Sequence, residues 1–145
     1  IEAVKKEDLE ETSIFTASFS RAWRERKKEI SVDIFFMSQL YKTKGMKNGT
    51  FGVSGKIERK NAVLELVLTR QEKILRAVPE KSAKRSKILL RIKPGRIDKQ
   101  DMLPKFQILI SESLNQEELL QALPPGGVFI LKEHKNAEKS RRSRK

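Results

Sequence analysis

The residues of this chain best able to do chemistry are its cations, and many of them gather around small residues. The run Gly49-Thr50-Phe51-Gly52-Val53-Ser54-Gly55-Lys56 has glycines that let backbone approach a phosphate, and a lysine to meet its charge. A Walker-type nucleotide loop needs Ser or Thr after that lysine to hold magnesium. Ile57 stands there instead, so the run is not read as a nucleotide site. Lys42, Lys44, Lys47 and Lys56 surround the same glycines, with Lys60 just beyond. They read either as a phosphate-contacting loop or as solvated surface. A second candidate footprint is Lys84, Arg85, Lys87, Arg91 and Lys93, set around an expected strand that places alternate residues on one face.

Covalent and acid–base chemistry find little to work with. Most carboxylates stand among lysines, where solvated ion pairs are the ordinary outcome. Cysteine is absent, which excludes disulfides and thiolate metal sites, and the single histidine, His134, lies near the charged C-terminus. No nucleophile has a base in prospect. We therefore expect no catalytic residue, no metal site, no cofactor and no small-molecule substrate.

The charge is strongly one-sided: 32 Lys and Arg against 19 Asp and Glu leave +13, with a pI near 10.1. A polyanionic partner is the first expectation, either nucleic acid or an anionic membrane. No run approaches the roughly 20 apolar residues that cross a bilayer, and the first residues lack the apolar core of a signal peptide. The chain thus reads as soluble and intracellular, without a membrane partner. From Lys132 to Lys145, seven basic residues face Glu133 and Glu138, a net of +5, which leaves +8 on residues 1–131. The first 131 residues are expected to form one domain and residues 132–145 a basic disordered tail.

The elements that must position these cations are set by apolar spacing. Residues 7–23 read as one amphipathic helix, with Leu9, Phe15, Phe19, Ala22 and Trp23 on one side and acidic residues leading. Trp23 could stack on a base, but its place beside Phe19 on the apolar stripe favours the core. Ile30, Val32, Ile34 and Phe36 alternate as a strand, and strand-like alternation resumes at Phe51, Val53 and Ile57 after a polar loop. Residues 62–69 read as a third, well-buried strand, and residues 70–78 as either a short helix or an irregular strand. Residues 80–99 carry a net +6 around a strand at 88–92. A helix is expected over residues 101–113, with Pro104 in its first turn, then a short helix with an Asn115/Glu118 capping box, stopped by Pro124-Pro125-Gly126-Gly127. Residues 128–131 form a last strand. The predicted fold is α+β: a small mixed sheet with an N-terminal amphipathic helix and two C-terminal helices.

Thr16-Ala17-Ser18-Phe19-Ser20-Arg21-Ala22-Trp23 resembles the helix signature of the RNA-binding domain of NFACT proteins. The order of the downstream segments agrees. Ile30-Ser31-Val32-Asp33-Ile34-Phe35-Phe36 looks like the family's strand, and Gln39-Leu40-Tyr41-Lys42-Thr43 like its Gln-Val-Ser-Lys-Thr step. Gly49-Thr50-Phe51 through Gly55-Lys56 looks like its hairpin, and residues 119–127 resemble the Leu-Leu-Pro-Pro-Gly-Gly ending of archaeal members. The chain departs from the family at residues 44–48 and 57–60.

The resemblance implies a ribosome-associated quality-control factor of the cytoplasm, engaging tRNA, ribosomal RNA and the large ribosomal subunit. It also implies that this chain is the C-terminal part of a larger domain whose first strands lie upstream. Ser20 and Arg21 join the two lysine-rich clusters as candidate RNA contacts, and Trp23, Phe19, Gly49, Phe51 and Gly55 are its structural motif. The alternatives are a protein-interaction module on the large subunit, using the apolar residues 119–131, and an RNA-binding module of a tRNA-modification system.

Overall fold

A computed structural model of the chain describes residues 5–110 and 112–131; the tail expected at 132–145 lies outside the described residues. Helix α1 (Lys6–Ser18) begins with Glu7 and Asp8, whose charge suits the positive end of the helix dipole. It buries the small residues Ser13, Ala17 and Ser18 and ends short of the single helix expected to run to Trp23. The cause is Ser20. Its backbone is extended (φ −93°, ψ 178°), its Oγ accepts from the Ala22 N–H at 3.2 Å, and it donates to the Ala17 carbonyl at 2.6 Å. A serine that satisfies nearby backbone closes one helix and caps the next. Helix α2 (Arg21–Arg24) then turns Trp23 inward, wholly buried, with Nε1 donating to the Gly127 carbonyl at 2.8 Å.

Strand β1 (Glu29–Ile34) keeps the expected alternation through Ile34 but stops short of Phe36, which is exposed, and pairs with β4 (Glu58–Val63) as a two-stranded ribbon. Between them, β2 (Leu40–Tyr41) and β3 (Gly52–Val53) form a second, very short ribbon, so the strand expected through Ile57 is only two residues long. The remaining strands are β5 (Leu66–Gln71), β6 (Ile74–Val78), β7 (Ile88–Asp98) and β8 (Gly127–Leu131). They form one sheet of order β6-β5-β7-β8, and every pair is antiparallel.

The strand pairing corrects one expectation from the sequence and decides another. Residues 62–69 are not one strand: at Leu64 and Glu65 the chain leaves the ribbon and enters the large sheet, with the Leu64 N–H donating to the Lys28 carbonyl at 2.9 Å. The apolar run hides the break because Ala62, Leu64 and Leu66, on either side of it, are all buried. Residues 70–78 are not a helix: they hold the end of β5, a turn and the strand β6, so the strand alternative holds, with a regular pairing. Glu72 and Lys73 both adopt positive φ (51° and 69°), the geometry of a two-residue type I′ turn, which joins β5 to β6.

Helix α3 (Leu103–Leu109) carries Pro104 in its first turn, as expected. Asn115 caps α4 (Gln116–Ala122) by accepting from the Glu117 and Glu118 N–H groups at 2.9 and 3.2 Å. The return half of the capping box is replaced: Glu118 Oε1 instead accepts from the Leu75 N–H of β6 at 2.9 Å. The main core lies between the inner face of the large sheet (Leu66, Leu68, Leu75, Ala77, Leu90, Ile92, Val128, Ile130) and the helices, which contribute Trp23, Phe106 and Leu119. Pro-Pro-Gly-Gly does more than stop α4. Gly126 has φ +124° with Arg24 backbone 3.0 Å from where a Cβ would sit, and a Cβ on Gly127 would lie 2.0 Å from the Gly95 carbonyl oxygen. Only glycines let β8 pass this close to α2 and β7.

Candidate nucleic-acid interface

The outer face of the large sheet carries Val67, Thr69 and Gln71 on β5, Arg76 and Val78 on β6, and Arg91 on β7, as the cross-strand register places them. Over it lies a 3₁₀ turn (Glu80–Ala83) and the loop that leads on to β7. This segment is pinned at many points. Thr69 Oγ1 donates to the Lys87 carbonyl at 2.7 Å, and Gln71 Nε2 donates to the Ser82 carbonyl at 2.9 Å. Ser82 Oγ reaches Glu11 at 3.1 Å, Lys81 reaches Glu10 at 2.5 Å, and Arg91 reaches Glu80 at 2.6 Å. Ala83 is buried in a small cluster with Val67 and Val78.

Beside this segment opens a cleft of about 770 Å³, in which Arg70, Arg76, Lys81, Lys84, Arg85 and Lys87 face a single carboxylate, Glu72. Two of the six cations are already engaged. Arg70 is held by Glu112 at 3.2 Å and Glu118 at 3.5 Å, and Lys81 by Glu10. The Lys81 hydrogen bond and charge hold the Glu10 carboxyl below its ordinary range, and Glu10 in turn raises Lys81. Arg76, Lys84, Arg85 and Lys87 are exposed and form no ion pair among the described residues. Four uncompensated cations on a pinned wall can take phosphate oxygens at set positions.

The expected cluster at 84–93 therefore divides. Lys84, Arg85 and Lys87 line the cleft, from the loop before β7 rather than from the strand. The Arg91 side chain is only 19% exposed, and its hydrogen bond to Glu80 pushes its pKa up. Lys93 lies 4.9 Å from the Phe129 ring centroid and belongs to a separate groove with Arg26, Arg96 and Lys105. Ser20 uses its hydroxyl as a helix cap, while Arg21 is exposed on α2. Trp23 is core, and half-buried Phe19 stacks on Phe15 with ring centroids 4.6 Å apart. Sequence reasoning missed Arg70, Arg76 and Lys81. Arg76 alternates with Leu75 and Ala77, a signal that becomes readable once residues 70–78 are taken as a hairpin.

The other cluster occupies residues 35–57, an arm carried by the β2–β3 ribbon. Gln39 organises it: Oε1 accepts from the Phe36 N–H at 2.7 Å, and Nε2 donates to the Ser54 and Lys56 carbonyls, both at 2.9 Å. Lys42 donates to the Lys47 carbonyl at 3.1 Å and lies 5.0 Å from the Phe51 ring centroid. Lys44, Lys47 and Lys56 are exposed, and Gly49 and Gly55 turn the chain with φ of +82° and +81°.

Comparison of the chain with family models, curated proteins and solved structures gives no match. Among the described residues, no helix is long and apolar enough to cross a membrane.

Proposed function

We propose that this chain is a non-catalytic RNA-binding module that contacts tRNA or large-subunit ribosomal RNA in cytoplasmic ribosome-associated quality control, as its NFACT-like motifs imply. The observation that carries the reading is the cleft, where Arg76, Lys84, Arg85 and Lys87 stand without ion-pair partners among the described residues, beside a segment pinned to the sheet. Pinned cations favour a ligand whose phosphates are themselves fixed, which is what folded RNA offers and a flexible polyanion does not. A recessed wall also suits a projecting backbone better than a flat lipid surface. Protein docking through residues 119–131 is disfavoured, because Leu119, Leu123, Val128 and Ile130 are buried in the core.

The test is titration of a tRNA into the chain and into a variant with Arg76, Lys84, Arg85 and Lys87 all changed to Gln, at several salt concentrations. For every phosphate that the variant no longer neutralises, the slope of log affinity against log salt should flatten by about 0.7 to 0.9. Equal affinity and equal slope for the two proteins would refute the assignment.

A further inference from the structure

The arm differs from a merely solvated loop in what it exposes. Residues 35–57 contain four lysines and no Asp or Glu. Phe36 is 78% exposed, Met37 85%, Phe51 56% and Tyr41 47%. One of these rings is also held from behind, and a second is met by a cation. Tyr41 pairs across the ribbon with Gly52, where a Cβ would fall 2.1 Å from the ring, so the ring packs against bare backbone while the residue stays about half exposed. One step further along, Lys42 sits over Phe51. Exposed rings, one backed by backbone and one met by a lysine, set among uncompensated cations, are the elements of a stacking platform for unpaired bases.

We propose that the arm binds unpaired nucleotides of an RNA, with Phe36, Tyr41 and Phe51 stacking on bases and Lys42, Lys44, Lys47 and Lys56 holding the phosphates between them. This rests on the RNA-binding reading and adds a second subsite with a different ligand chemistry. Charge selects the occupant: an acid-free surface bearing four lysines excludes basic partners, the chain's own residues 132–145 among them, since those carry net +5. Single-stranded RNA satisfies both features at once, because every base has a π face and every linkage a negative charge.

The probes are an RNA stem-loop with a six-nucleotide 3′ overhang containing 2-aminopurine, and the same stem-loop with a blunt end. The full chain should bind the overhang probe more tightly and quench its fluorescence. Changing Phe36, Tyr41 and Phe51 together to Ala should lower affinity for the overhang probe by about 30-fold or more, since one stacked base contributes about 5- to 150-fold. Affinity for the blunt probe should stay within about twofold. Phe51→Trp should keep the quenching, whereas Phe51→Leu, which preserves apolar bulk without a π face, should reduce it. These single changes at an exposed position keep the test alive should the triple variant lose its fold. Unchanged overhang affinity in the triple variant would overturn the proposal and assign the rings to a protein surface. Equal losses on both probes, or Leu acting like Trp, would also overturn it. If the unaltered chain binds the blunt probe with no preference for the overhang, the stacking subsite falls while the RNA-binding reading survives. If it binds neither probe, both fall.

Discussion

In the cleft, carboxylates from neighbouring elements hold two of the six cations, Arg70 by Glu112 and Glu118 and Lys81 by Glu10, and Thr69 and Gln71 fix the loop backbone. In the arm, four lysines share 23 residues with no carboxylate, and one glutamine side chain supplies much of the cross-bracing. Both regions are basic, yet they suit different ligands. Ion pairing in the cleft leaves a chosen few charges free at fixed positions, which can report on the shape of a folded polyanion. The arm keeps its rings in water and its lysines without ion pairs among the described residues, a state a small surface ribbon tolerates because it buries little that would have to be satisfied. Net charge alone would have scored the two as equivalent.

The largest expected effect separates the regions by what holds them. Trp23→Ala should destabilise the body by about 3 to 5 kcal/mol, as removal of a fully buried aromatic does, and lower the melting temperature accordingly. Cleft-dependent binding should go with it. Trp23→Phe should cost less, about 1 to 3 kcal/mol, through the Gly127 carbonyl left without its donor.

Neutralising Arg76, Lys84, Arg85 and Lys87 leaves the fold standing and should weaken tRNA binding by about 100-fold at low salt, with the salt slope reduced by about 3. Neutralising Lys42, Lys44, Lys47 and Lys56 instead should weaken the overhang probe more than the blunt one. The same pattern of weakening from both sets would erase the distinction between cleft and arm.

Gln39→Ala should act within the arm alone. The local cost is about 1 to 2 kcal/mol for three exposed hydrogen bonds. Amide hydrogen exchange at Ser54, whose N–H donates to the Gln39 carbonyl, should accelerate, while exchange in β5 and β7 stays as it was.

The smallest effect concerns pH. Because Lys81 holds Glu10 below its ordinary range, the pair stabilises the fold at pH values above the unfolded glutamate pKa. That stability is lost as pH falls through the lower folded value. An NMR titration should find the Glu10 midpoint depressed in the unaltered chain and restored upward in Lys81→Met. The two proteins should converge in stability in acid. An unmoved Glu10 midpoint would mean that this pin does not hold in solution.

Local signals carried much of the fold. The acidic first turn of α1, the alternation of β1, Pro104 at the start of α3 and Asn115 as a cap are each written within a few residues, where helix dipole, strand period and capping chemistry act. The features that were not legible have one physical origin, contacts between distant parts of the chain. Ser20 breaks the helix because its hydroxyl bonds its neighbours and because Trp23 has the Gly127 carbonyl, 104 residues away, to turn toward. The Glu72-Lys73 turn has φ values that favour Gly or Asn, so it carried no turn signature, and the pairing of β5 with β6 imposed it.

By itself the sequence determined the sign and density of charge, the lack of thiols, the acid-free stretch at 35–57 and the type of most elements. These depend on composition and short-range spacing. Which cations are free to meet a ligand was decided only by the tertiary structure. Glu10 neutralises Lys81 across 71 residues and Glu112 engages Arg70 across 42, whereas Lys84 and Arg85, a few positions from Lys81 in sequence, are left open. Charge compensation acts over a few ångströms of space, and chain separation is no measure of that distance.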